Sequence, residues 1–227
     1  MISKFIMDFE ELQRNLDNKM SFSALKKQKQ LLDKVIKVQD IIQPVFSYKG
    51  EYTIHDNPAE WLSLKYFDKL NYILVSLHNV VRLNDEFFSW LALKYIYEFY
   101  IKLKYISSAE NDDIFSERIQ KYLSLGQRDN FADKVKKLEG EDPILLMFKN
   151  DHKEMYRLMN SVAHPNVESL NLHKVKHTDD DRFNGLSLNL QLCMYLIYGV
   201  IETIVNDSRF SLVNKPDLIK IKSIVGN

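Results

Sequence analysis

Residues Asn57 to Arg82 read NPAEWLSLKYFDKLNYILVSLHNVVR, and their spacing decides the fold. Asn57 suits a helix N-cap. Pro58 suits the first helical position, where its fixed φ helps and its missing N–H costs nothing. Phe67, Leu70, Leu74, Leu77 and Val81 then recur at steps of three and four, with Tyr66, Ile73 and Val80 beside them. That is a broad apolar face at helical period. Asn84 or Asp85 caps the next helix, which is expected to reach about Ile106. It is apolar nearly all round, from Phe87, Phe88, Trp90 and Leu91 to Tyr100, Ile101 and Leu103. A helix of that kind belongs in the centre of a bundle.

Working outward, a short helix is expected over Phe5–Asn18. Ser21 or Ser23 caps a second one ending near Ile42, before Pro44. Val45 to Ile54 alternates weakly around Lys49-Gly50 and reads as a small hairpin or an ordered loop. Downstream, helices are expected over Asp113–Leu125 and Asp129–Glu139, with Gly126 and Gly140 at C-terminal cap positions. Pro143 opens a helix reaching His164, where Pro165 stops it. Asn166 to Gly185, with Asp179-Asp180-Asp181, reads as a polar loop, and Leu170, Leu172 and Val175 leave room for a short ribbon. A last apolar helix covers Leu186–Val205, and Pro216 starts a short C-terminal one.

Composition agrees. Only 6 glycines and 5 prolines occur in 227 residues, too few for a turn-rich sandwich or barrel. The expectation is therefore an all-α bundle in one domain, 1–227. It divides into an N-terminal helical hairpin over 1–56, a core bundle over 57–206 and a tail helix over 207–227. Lys plus Arg equals Asp plus Glu at 31 each, so no basic excess points to duplex DNA. The single cysteine, Cys193, lies in an apolar run and reads as a small buried hydrophobe of a reducing compartment. The acidic N-terminal stretch MISKFIMDFEELQ does not read as a signal peptide. The longest apolar run, Leu192–Ile201, is short of the roughly 18 residues of a span. A cytoplasmic protein with no membrane association is expected.

Glycine-rich phosphate loops, paired CxxC, HExxH and GxSxG are all missing. His173 and His177 are four apart, but in a stretch read as loop and with no third ligand placed. Neither metal nor cofactor is expected.

The informative segment is MYRLMNSVAHPN, Met155–Asn166. At 100° per residue Arg157 and His164 share a helix face, with Asn160 and Ser161 between them. A guanidinium can clamp a phosphate through two hydrogen bonds. An imidazole near neutral pKa can move a proton to or from a 2′-hydroxyl or a leaving oxygen. The row suits phosphodiester cleavage. The plainer alternative is that Arg157 pairs with a carboxylate and His164 caps its own helix. Glu98 is the other notable position, with Lys94 and Lys102 four residues to either side. It is either a narrow solvated stripe held by i,i+4 pairs or a carboxylate inside the bundle that orients Arg157.

An Arg, a spacer of six and a His near the end of a late helix resembles the HEPN superfamily (higher eukaryotes and prokaryotes nucleotide-binding). LKYIYEFYIKLKYI, SERIQKYL and YRLMNSVAHP are similar to a prokaryotic branch of it, the similarity covering about Pro58 to Val205. Its members usually carry a polar residue directly after the Arg. Here that position is Leu158, and Asn160 comes later, so the motif is modified. The resemblance implies a metal-independent endoribonuclease of a toxin–antitoxin or phage-defence system. Arg157 and His164 would be catalytic, with Asn160 and Ser161 orienting RNA. It also implies a homodimer with the motif helices at the interface, and an antitoxin or other protein partner. The surplus of 12 Tyr and 13 Phe also points to a homodimer. The alternative within the same fold is a non-catalytic interaction scaffold.

Overall fold

The computed structural model describes residues 20–47, 57–123, 138, 152–163, 179–210 and 215–226. Among them are seven α-helices and no strand. They are α1 (Phe22–Ile42), α2 (Pro58–Arg82), α3 (Glu86–Ser107), α4 (Asp112–Leu123), α5 (His152–Ala163), α6 (Asp179–Asn206) and α7 (Leu218–Gly226). The all-α bundle expected from the sequence is the fold observed.

Local chemistry sets the boundaries. Ser21 Oγ accepts the Ala24 N–H at 3.2 Å and starts α1. A 3₁₀ turn, Gln43–Ser47, carries Pro44 and closes it. Pro58 opens α2 as expected, but the Asn57 side chain makes no capping bond. Asp85 caps α3, accepting the Phe88 N–H at 3.1 Å. Asn84 before it takes φ 50°, the left-handed conformation that Asn adopts more readily than most residues. That single kink folds α3 back along α2.

Helix directions follow from long-range bonds. Gln28 donates to the Val81 carbonyl (2.8 Å) and Gln39 to Asn71 Oδ1 (2.9 Å), so α1 and α2 are antiparallel. Asn189, in the first half of α6, donates to Ser89 Oγ in the first turn of α3 (2.9 Å). Past their ends, Arg209 reaches the Ser107 and Ala109 carbonyls, so α3 and α6 run parallel. Helix α3 is the hub: it packs on α2, α4, α5 and, most extensively, α6. Leu93, Ile96, Tyr97, Ile101 and Leu103 of α3 are fully buried, as are Leu196, Ile197, Val200 and Ile204 of α6. Helix α1 belongs to this core as well, through Val35, Val38 and Ile42, and touches α2, α6 and α7.

One sequence expectation is corrected. The polar stretch placed before Leu186 is helical from Asp179, and α6 passes through Gly185. Gly185 lies where α6 meets the start of α3, and a Cβ there would meet the flexible end of the Glu86 side chain. Phe183–Asn206 is long and apolar enough to cross a membrane, the one such helix among the described residues, but most of that window is buried inside the bundle. Cys193 is fully buried, which pushes its thiol pKa up. The expected Phe5–Asn18 helix, most of the Val45–Ile54 hairpin, the Leu170–Val175 ribbon and His173/His177 lie outside the described residues, as does the Asp129–Glu139 helix save Leu138, which is helical.

Candidate functional site

Helix α5 carries the motif. Met159 and Val162 are buried and turn it onto the bundle, where it packs against α3. The Tyr156 ring lies 6.3 Å from that of Tyr97. Its hydroxyl donates to Glu98 Oε1 at 3.1 Å. Lys94 Nζ stands 3.8 Å from the same oxygen, and the two side chains are 16% and 30% exposed. Asn160 stands one turn further along α5, half-buried. Burial, then the charge of Glu98 and its hydrogen bond, push the Tyr156 pKa up to about 12, with Asn160 pulling the other way. The phenol is therefore neutral at physiological pH and serves as a fixed donor.

The sequence-predicted residues are distributed as follows. Arg157 is exposed, next to the Tyr156 anchor, and Asn160 is half-buried beside it. Ser161 is only 7% exposed, so the described members of the row divide between exposed Arg157 and buried Ser161. Glu98 is half-buried at the α3–α5 seam, between the solvated stripe and the interior position that the sequence left open. It keeps the i,i+4 pair with Lys94, and its carboxylate also reaches α5, at Tyr156. His164 lies outside the described residues, one position beyond the last described residue of α5.

Glu98 and Tyr156 are thus brought together, with Asn160 one turn along α5 and Arg157 exposed next to Tyr156 in the chain. Sequence reasoning missed Tyr156. Its signal was there, since Tyr156 and Asn160 are four apart and meet on one helix face. Chemically, the arrangement offers an exposed arginine and a half-buried amide on a helix fixed by a charge-assisted hydrogen bond. Among the described residues no cluster of three His, Cys, Asp or Glu side chains is placed to hold a metal. Compared with known proteins, the chain matches no family model, no curated protein and no solved structure.

Proposed function

We propose that this chain is a HEPN-like, metal-independent endoribonuclease of the cytoplasm, a toxin or phage-defence component. The observation that carries the reading is that Arg157 is exposed on a helix pinned to the core through Tyr156 and Glu98. A guanidinium so placed can take a phosphodiester through two hydrogen bonds and stabilise the charge that develops on it. His164 supplies acid/base chemistry. The 2′-oxygen attacks phosphorus, the bond to the 5′-oxygen breaks, and a proton passes from the former to the latter. RNA supplies its own nucleophile, so the reaction needs no metal-bound water. Asn160 orients the substrate, and Ser161 supports the helix from beneath. The test is cleavage of RNA with divalent metals chelated, comparing wild type with His164→Ala.

A second reading has its own observation. Tyr72 and Phe88 are 67% and 54% exposed, on the α2–α3 face. That suits a non-catalytic interaction module of the same fold, whose contacts rather than its chemistry matter. Such a protein would cut no RNA in the same assay.

A further inference from the structure

A groove of about 370 Å³ runs between α2 and α3, walled by Tyr72, Ile73, Val80, Phe88, Leu91 and Tyr95. That is a small-molecule volume, and an apolar wall with a few polar groups is what such ligands meet. The two ends of the groove differ. Tyr66 stacks on Phe99 at 3.9 Å, and the Asp85 N–H donates to the Val80 carbonyl at 3.1 Å, so α2 and α3 are antiparallel and the groove follows both. Asp68 and Lys69 are its only charged linings among the described residues, and they stand at the Tyr95 end. Val80 and Phe88 form the other end, roughly 18 Å along α2 from Asp68. The hydroxyl of Ser76 between them donates to the Tyr72 carbonyl at 2.8 Å.

We propose that this groove binds an elongated organic cation, an alkylated or protonated amine with an apolar body. The head lies at Asp68, Tyr72 and Tyr95, and the body runs past Ile73 and Leu91 toward Phe88. Three observations select that charge. The Asp68 carboxylate is exposed and makes no ion pair or hydrogen bond among the described residues. Tyr72 and Tyr95 beside it are exposed, and aromatic faces attract cations and repel anions. One of these rings already draws an ammonium, for Lys69 Nζ lies 6.0 Å from the Tyr95 centroid. Lys69 therefore stands in for the ligand's head and is displaced by it. An anionic head would meet the Asp68 carboxylate and two ring faces at the same spot. The proposal uses neither Arg157 nor His164 and stands whether or not RNA is cut.

The experiment is a methyl-detected NMR titration of the full chain with hexyltrimethylammonium. Hexanesulfonate and hexanol, of the same body, serve as anionic and neutral controls, and circular dichroism confirms that each variant folds. The cation should shift the Ile73, Val80 and Leu91 methyls and saturate in the roughly millimolar range set by so small a probe. Both controls should bind more weakly. Asp68→Asn should weaken the cation roughly threefold to fivefold, and Tyr95→Leu roughly twofold to fivefold, since it keeps the bulk and removes the ring face. Lys69→Gln should tighten it by a similar factor, because a competing like charge is gone. Ala92→Trp fills the middle of the groove and should abolish binding. Hexanesulfonate bound as well as the cation overturns the proposal, and so do equal affinities for all three probes, which mark a plain apolar strip. Shifts confined to other methyls, or binding indifferent to every variant, also overturn it. So does a wild type that sediments as a dimer, binds no cation and becomes monomeric with Tyr72→Glu, which gives the groove to a second copy.

Discussion

The Tyr156 hydroxyl donates to the Glu98 carboxylate across 3.1 Å, tying the motif helix α5 to the hub helix α3. The bond joins a neutral phenol to a half-buried anion, so its removal is felt both in stability and in the placement of Arg157. Tyr156→Phe is expected to cost about 1 kcal/mol, lowering Tm by roughly 2–4 °C. It should also lower any RNA cleavage several-fold through a looser Arg157. A thermal melt and a cleavage rate on the same preparation check both.

The same tyrosine sets an alkaline limit. Its native pKa is raised to about 12, chiefly by burial, then by Glu98. Tyr198, bonded to Glu202 at 2.6 Å, is also raised to about 12, again by burial first. A raised native pKa means stability that is fully present below the unfolded value of about 10 and lost as pH climbs through 12. The urea midpoint should therefore fall between pH 10 and 12. Tyr156→Phe should flatten that fall in part, and the double variant with Tyr198→Phe should flatten it further.

Beyond the end of α6, Arg209 forks onto Asp207 (2.9 and 2.8 Å) and donates to the Ser107 and Ala109 carbonyls. Its guanidinium also lies 4.2 Å from the Phe115 ring centroid. Arg209→Ala should cost about 3 kcal/mol, or roughly 6–12 °C in Tm, because it strands a partly buried carboxylate and two carbonyls. Burial alone would raise the Asp207 pKa, but the hydrogen bonds and charge of Arg209 outweigh it and hold the carboxyl below its usual value. That stability is present above about pH 4 and lost as pH falls through the native pKa. Asp207→Asn should lower the midpoint at pH 7 and narrow the gap to the value at pH 3.

The helices were legible where periodicity is strong. Phe67 to Val81 announced α2, the pair Asn84 or Asp85 announced the start of α3, and the all-round apolarity of α3 announced its central place. The start of α6 was not legible, because three aspartates and a glycine look like a loop when the neighbouring helix is unknown. Gly185 faces the Glu86 side chain of α3, a neighbour that no local pattern reveals. Ser161 shows a different limit. A helical wheel puts it with Arg157, but the wheel does not say where the buried sector ends, and packing on α3 draws Ser161 inside. Arg209 was missed because its carbonyl partners lie about 100 residues away, beyond any local pattern.

The α6 boundary has its own test. If residue 185 is mid-helix, Gly185→Ala should be neutral or raise Tm by roughly 1–4 °C. Alanine gains about 0.5–1 kcal/mol in a helix, and the atoms in its way are the flexible end of Glu86. Gly185→Pro should then be severely destabilising, by about 3 kcal/mol or more. A proline tolerated at 185 would return this stretch to a loop.

The central claim is the ribonuclease reading, and one assay meets it directly. A labelled single-stranded RNA is incubated with wild type, Arg157→Lys and His164→Ala, divalent metals chelated, and the melting temperature of each protein is recorded alongside. Wild type should cut. Arg157→Lys should fail because an ammonium cannot reproduce the two-pronged phosphate contact, and His164→Ala should lose roughly 10²–10⁴ in rate. Arg157 is exposed, so its variant should melt within about 1 °C of wild type. Wild type that leaves RNA intact, or cleavage that persists in both variants, would contradict the account.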